Sequence, residues 1–134
     1  MEDKDQLWVA AALICDGKKF LAARRPEGKK FAGQWELPGG KLLPSEEPRD
    51  CVLREIQEEL SCKIDIDRYL LTCNYKYDDY YLCMYIYLCH LCEGEKVIPN
   101  EGQEIRWIGV EDIDTLDWVK ADYQFLDYIK NLLK

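Results

Sequence analysis

Gly40-Lys41-Leu42-Leu43-Pro44-Ser45-Glu46-Glu47-Pro48-Arg49-Asp50-Cys51-Val52-Leu53-Arg54-Glu55-Ile56-Gln57-Glu58-Glu59 is the stretch from which the rest of the chain is read. Five residues separate Gly40 from Glu46, and seven more lead to Arg54-Glu55-Ile56-Gln57-Glu58-Glu59. Ser45 and Pro48 mark the start of a helix expected to run to about residue 60. On it Glu55, Glu58 and Glu59 stand at i, i+3 and i+4 and share one stripe. Each like-charged pair at these spacings costs a helix roughly 0.2–0.5 kcal/mol. The three also fall in the last turns before Ser61, where the macrodipole disfavours anions. A bound divalent cation would offset both penalties, and an all-oxygen ligand set suits Mg²⁺ or Mn²⁺. The plain alternative is a solvated acidic face. Val52, Leu53, Ile56 and Leu60 form an apolar stripe about a quarter-turn or more around the helix, at 3.6 residues per turn. One face packs and its neighbour is left for chemistry.

Outward from this helix the pattern is mostly strand. Residues 7–14 are an apolar run typical of a buried strand, Asp16-Gly17 signals a turn, and residues 19–23 read as the hairpin partner. Residues 26–33 form a polar loop containing Gly and Lys. Residues 35–37 are strand-like and stopped by Pro38-Gly39-Gly40. Residues 69–75 and 80–92 suggest a long hairpin around Tyr77-Asp78-Asp79. Its second strand alternates Leu82, Met84, Ile86 and Leu88 with Cys83, Tyr85, Tyr87 and Cys89, as a strand covered on both faces would. Residues 105–110 read as a strand and 111–116 as one or two helical turns. Asp122 is a good N-cap for a final helix with Phe125, Leu126, Ile129, Leu132 and Leu133 on its apolar stripe. This order predicts an α/β fold, a mixed sheet between helices, with residues 1–134 as a single domain.

The 134 residues carry a net charge of −8, which argues against extended nucleic acid as a partner. A small phosphate ligand needs only two or three placed cations. The start Met1-Glu2-Asp3-Lys4-Asp5 is acidic, and no apolar stretch reaches the roughly 18 residues of a membrane span. The chain reads as soluble, unprocessed and cytoplasmic. Its seven cysteines lie mostly within apolar patterns, as reduced thiols acting as small hydrophobes. Cys89-His90-Leu91-Cys92 lacks a second pair at zinc-ligand spacing, and strand alternation turns its two thiols to opposite faces.

The pattern from Gly40 to Glu59 resembles the signature box of the Nudix hydrolases, which cleave nucleoside diphosphates linked to another moiety with the help of divalent cations. Two positions depart from it: Ser61 stands where the family has Gly, and Cys62 where it has an aliphatic residue. The Gly serves a left-handed turn, so Ser there costs roughly 1 kcal/mol in strain. Residues 35–41, 100–107 and 121–122 look like the compact MutT-like branch, whose members hydrolyse (deoxy)nucleoside triphosphates to the monophosphate and pyrophosphate. The resemblance implies the α/β/α sandwich of that family.

It also implies roles. Glu55, Glu58 and Glu59 match the metal-binding carboxylates, Gly39 a metal-ligating backbone carbonyl, and Arg54 the residue that orients the glutamates. Glu46 pairs with the loop or the outer metal shell, or favours the positive helix start. Glu101 matches an additional carboxylate that binds metal or activates water, and Glu104 competes for that place. Arg25 and Lys41, with Lys30 on its loop, match phosphate contacts. Leu37, Tyr77 and Asp122 fall where the base is held. Tyr77 either stacks on a base or packs. Asp122 is an acceptor when ionised, which favours the donors of a cytosine-type or guanine-type edge, or else it is a plain helix cap. The rival readings are another Nudix substrate, a catalytically silent nucleotide-binding module, and a thiol-based redox sensor.

Overall fold

The computed structural model describes residues 5–134, so the acidic start at residues 1–4 lies outside the described residues. Strands β1 (Asp5–Asp16) and β2 (Lys19–Arg24) form the expected hairpin, with Cys15 opposite Phe20. Then come β3 (Trp35–Glu36), β4 (Gly39–Lys41), helix α1 (Pro48–Leu60), β5 (Ile64–Lys76), β6 (Tyr80–Leu91) and β7 (Glu104–Ile108). Two 3₁₀ segments, Val110–Thr115 and Lys120–Gln124, lead to helix α2 (Leu126–Leu132).

The strands run β3-β2-β1-β6-β5, with β4 added to β1 and β7 to β2. The pairing of β1 with β6 is parallel, from Asp5 opposite Tyr80 to Ile14 opposite Cys89, and the other strand pairings are antiparallel. Strand β1 is buried on both faces, which explains its unbroken apolar run. Ala11 and Leu13 face a core closed by Trp118, Phe125 and Ile129 from the C-terminal segments. Ala10, Ala12 and Ile14 face a second core closed by Val52, Ile56 and Leu60 of α1. These two cores make the predicted helix–sheet–helix layering.

Four local expectations are corrected. Residues 39–41 do not merely stop a strand; they form β4, with Ala11 opposite Gly39 and Val9 opposite Lys41. Only glycine fits there: a Cβ on Gly39 would lie 2.1 Å from the Ala10 carbonyl oxygen. Leu53 is 38% exposed, and Cys51 is buried in its stead. At about 100° per residue, Glu55 and Glu59 project between Cys51 and Val52, inside the sheet-facing arc, while Leu53 and Glu58 lie on its borders. Strand β5 begins at Ile64 rather than residue 69; register shifts at Ile66/Arg68 and Tyr69/Leu71 break the alternation that a strand pattern depends on. Asp122 is no cap: it sits within the 3₁₀ segment Lys120–Gln124, and Phe125 precedes α2.

Candidate active site

A cavity of about 590 Å³ opens where β4, the C-terminal end of α1, the 26–33 loop and the β5–β6 turn meet. At one end stand Gly39, Lys41, Glu59 and Glu101. At the other stand Leu37, Met84, Tyr77, Phe31 and Asp122. Arg25, Lys30 and Glu36 also line it. Nine of the residues singled out in the sequence thus converge on one space, although they come from six separate parts of the chain.

Arg54 organises the helix side. Its guanidinium donates to Glu46 (2.9 Å from both Nε and Nη2), to Glu55 (2.9 Å), to Glu58 (3.2 Å) and to the Lys41 carbonyl (3.0 Å). The hydrogen bonds from Arg54, with one from the Leu43 N–H, hold the Glu46 carboxyl down at about 2. Glu46 thus pairs with the loop, one of its expected roles, and also with Arg54, a partner the sequence reading did not name. Glu55 is drawn against β4, where a Cβ on Gly40 would come within 2.3 Å of its carboxyl.

Glu59 turns into the cavity. Burial, then the charges of Glu55, Glu101 and Glu36, push its carboxyl up to about 8, against a hydrogen bond from the Gly39 backbone. Glu58 is 59% exposed and paired with Arg54. As they stand, no three acidic, His or Cys side chains among the described residues converge on a single metal position. The side chains that would serve as donors nonetheless fit a hard cation, because all of them offer oxygen.

The loop after β6 fixes Glu101. The last carbonyls of α1 lack intrahelical partners, and residues 98–103 supply them. Ile98 N–H donates to the Leu60 carbonyl (2.8 Å), Asn100 N–H to Glu59 (2.9 Å), the Asn100 amide to Glu58 (3.0 Å) and the Gln103 amide to Glu59 (3.3 Å). Glu101 is thereby held beside Glu59. Glu104 lies instead on β7, paired with Arg24 (3.3 Å) and Arg106 (3.1 Å), away from the cavity. Ser61, at φ +51°, takes the left-handed cap and receives a short hydrogen bond from Asn100.

At the other end Asp122 is 2% exposed and accepts from the Leu37 N–H (3.3 Å). Burial, and then Glu36, raise its carboxyl well above the usual Asp range. This works against reading Asp122 as an ionised, acceptor-only group: the protonated form carries a donor as well. Glu36 was missed in the sequence. It accepts from Arg25 (3.0 and 3.2 Å), and burial raises its carboxyl. Its one signal was a charged residue between the core positions Trp35 and Leu37. Tyr77 lies in an aromatic pile with Phe31, Tyr75 and Tyr80. Lys30 faces the Tyr80 ring (4.6 Å) and Asp79 (3.8 Å). Cys89 and Cys92 are free, as are the other five thiols.

Comparison with known proteins agrees with this geometry. A model of the NUDIX domain matches residues 5–129. The 8-oxo-dGTP diphosphatase of Proteus vulgaris is 36% identical over 89 residues, 66% of this chain and 80% of that protein. The CTP pyrophosphohydrolase of Escherichia coli K12 is 39% identical over 64 residues, 48% of this chain and 47% of that protein. The crystal structure of a MutT protein from Methanosarcina mazei Go1 superposes with a TM-score of 0.84 at 25% identity, covering 100% of this chain and 99% of the other. With the domain match spanning nearly all of an α/β/α sandwich, the chain belongs to the NUDIX family, as a hydrolase of its MutT-like branch.

Proposed function

We propose that this single-domain enzyme is a divalent-cation-dependent pyrophosphohydrolase. Its substrates are (deoxy)nucleoside triphosphates of CTP/dCTP type or with an oxidised purine, cleaved to the monophosphate and pyrophosphate. The observation that carries the reading is one cavity lined both by the carboxylates Glu59 and Glu101 and by the apolar and aromatic side chains of Leu37, Met84, Phe31 and Tyr77. The relatives named for 8-oxo-dGTP and CTP support the two base classes.

In this reading Glu55, Glu58, Glu59, Glu101 and the Gly39 carbonyl would hold Mg²⁺ or Mn²⁺. A cation held there would supply neutralisation of phosphate oxygens and a more nucleophilic water. Arg54 keeps Glu55 and Glu58 at fixed angles. Arg25, anchored by Glu36 and the Lys30 carbonyl, and Lys41 take phosphate oxygens; Lys30 contributes positive charge at the rim. A carboxylate among Glu55, Glu58 and Glu101 accepts the water proton. Leu37, Tyr77 and Asp122 hold the base. The compartment is the reducing cytoplasm, in keeping with seven free thiols whose buried members have their pKa raised by burial.

The test is a panel of CTP, dCTP, dGTP, 8-oxo-dGTP and dTTP with Mg²⁺ or Mn²⁺, followed as pyrophosphate and phosphate release. Metal-dependent pyrophosphate release is expected. No turnover above an EDTA control overturns the enzyme reading, and nucleotide binding without turnover would favour a binding module.

A further inference from the structure

The 26–33 loop hangs between β2 and β3, and the β5–β6 turn lies at the far side of the sheet, yet the two are fastened to each other. The Phe31 ring stacks on Tyr77 with centroids 5.4 Å apart and planes 29° apart. Tyr77 stacks in turn on Tyr80 at 4.8 Å and 22°. Lys30 places its ammonium 4.6 Å from the Tyr80 centroid and 5.3 Å from that of Phe31, with Asp79 at 3.8 Å. These are cation–π and offset-stacking distances. Phe31 reaches this position in a left-handed backbone conformation, φ +60°, that a bulky residue rarely adopts. On its other side Tyr77 accepts a hydrogen bond from the Ala121 N–H at 3.3 Å, next to Asp122.

We propose that Phe31 is a positioning residue for the nucleobase. Its ring, locked by Lys30, holds Tyr77 in place, and through the Tyr77 hydroxyl it fixes the Ala121–Asp122 segment that closes the base compartment. This rests on the pyrophosphohydrolase reading for its functional half only. Glu59 and Glu101, which would hold the metal, belong to elements outside the clasp, so loosening the clasp weakens substrate binding more than the chemical step.

The experiment compares the wild type with Phe31→Asn, which tolerates the left-handed backbone, and Phe31→Tyr, which keeps the ring. Two quantities are read: amide hydrogen exchange of Ala121 by NMR, and kcat and KM for CTP and 8-oxo-dGTP with Mg²⁺. In Phe31→Asn the Ala121 amide should exchange about tenfold faster or more. The KM for the preferred nucleotide should rise at least about fivefold with kcat within about twofold. Phe31→Tyr should restore both. Unchanged Ala121 exchange in Phe31→Asn overturns the clasp. Faster exchange with an unmoved KM overturns its role in substrate positioning. If the wild type turns over neither nucleotide, the pyrophosphohydrolase reading is what fails, and Ala121 exchange still decides whether Phe31 holds the wall.

Discussion

Gly40 leaves no room for a side chain against Glu55: a Cβ there would stand 2.3 Å from the Glu55 carboxyl carbon. The glycine that opens the signature stretch therefore seats the first of the three glutamates that share the helix stripe. Its φ lies outside the left-handed region, so an alanine methyl there would meet the Glu55 carboxylate and not a backbone restriction.

Gly40→Ala should expel the Glu55 carboxylate from its place beside Arg54. Kinetics of the variant should show kcat down by at least about tenfold. Because the carboxylate can swing aside, urea unfolding should show a loss of no more than about 1 kcal/mol, the worth of the displaced ion pair with Arg54. Full activity in Gly40→Ala would show that Glu55 works from another position.

The unbalanced charge around Glu59 predicts a metal-dependent stability. A ligand that binds only the folded protein adds about 2.7 kcal/mol at a hundred times its Kd. Mg²⁺ should raise the Tm of the wild type more than that of a Glu58→Gln/Glu59→Gln variant, and EDTA should abolish the difference. Without metal the variant should be at least as stable as the wild type, because repulsion along the helix is relieved. Equal Mg²⁺ shifts in both proteins would place the cation elsewhere.

Asp122 predicts a pH dependence of stability. Its folded-state pKa is raised by burial, so the folded protein holds this proton more tightly than the unfolded chain. Above the ordinary Asp range the unfolded state therefore releases its proton first, and stability falls as pH rises toward the folded-state pKa. Asp122→Asn keeps an acceptor for the Leu37 N–H and does not titrate. Its Tm advantage over the wild type should grow from pH 4 to pH 8, and a constant difference would contradict the assignment.

Ser61 carries two opposing terms. Its left-handed backbone costs roughly 1 kcal/mol, and the hydrogen bond from Asn100 returns about 0.5–1.5 kcal/mol. Ser61→Gly removes both and should be neutral to within about 0.5 kcal/mol. Ser61→Ala keeps the strain and loses the bond, so urea unfolding should report a loss of about 1 kcal/mol.

What could be read without coordinates follows from the range of the interactions. The buried β1, the β1–β2 hairpin and α1 are local patterns, and all three stand where the sequence places them. The Glu101–Glu104 ambiguity could not be settled by pattern: it turns on whether the loop or β7 faces the cavity, a matter of how residues 98–103 return to α1. Asp122 was legible as a cavity residue through family resemblance. Its burial was not, because an acidic residue ahead of an apolar stripe looks like a helix cap. Phe31 and Glu36 left almost no trace, since their partners, Tyr77 and Arg25, are set by the closure of the sheet.

The fastening of residues 98–103 to the end of α1 ties function to the least protected part of a helix. Helices fray from their ends, and local opening proceeds in cooperative units. The last turn of α1 carries Glu58 and Glu59, and the segment that satisfies its carbonyls carries Glu101. These acidic groups come loose together or remain together. An opening confined to this corner would silence the enzyme while β1 and both cores stayed folded, so inactivation by heat or denaturant should run ahead of global unfolding.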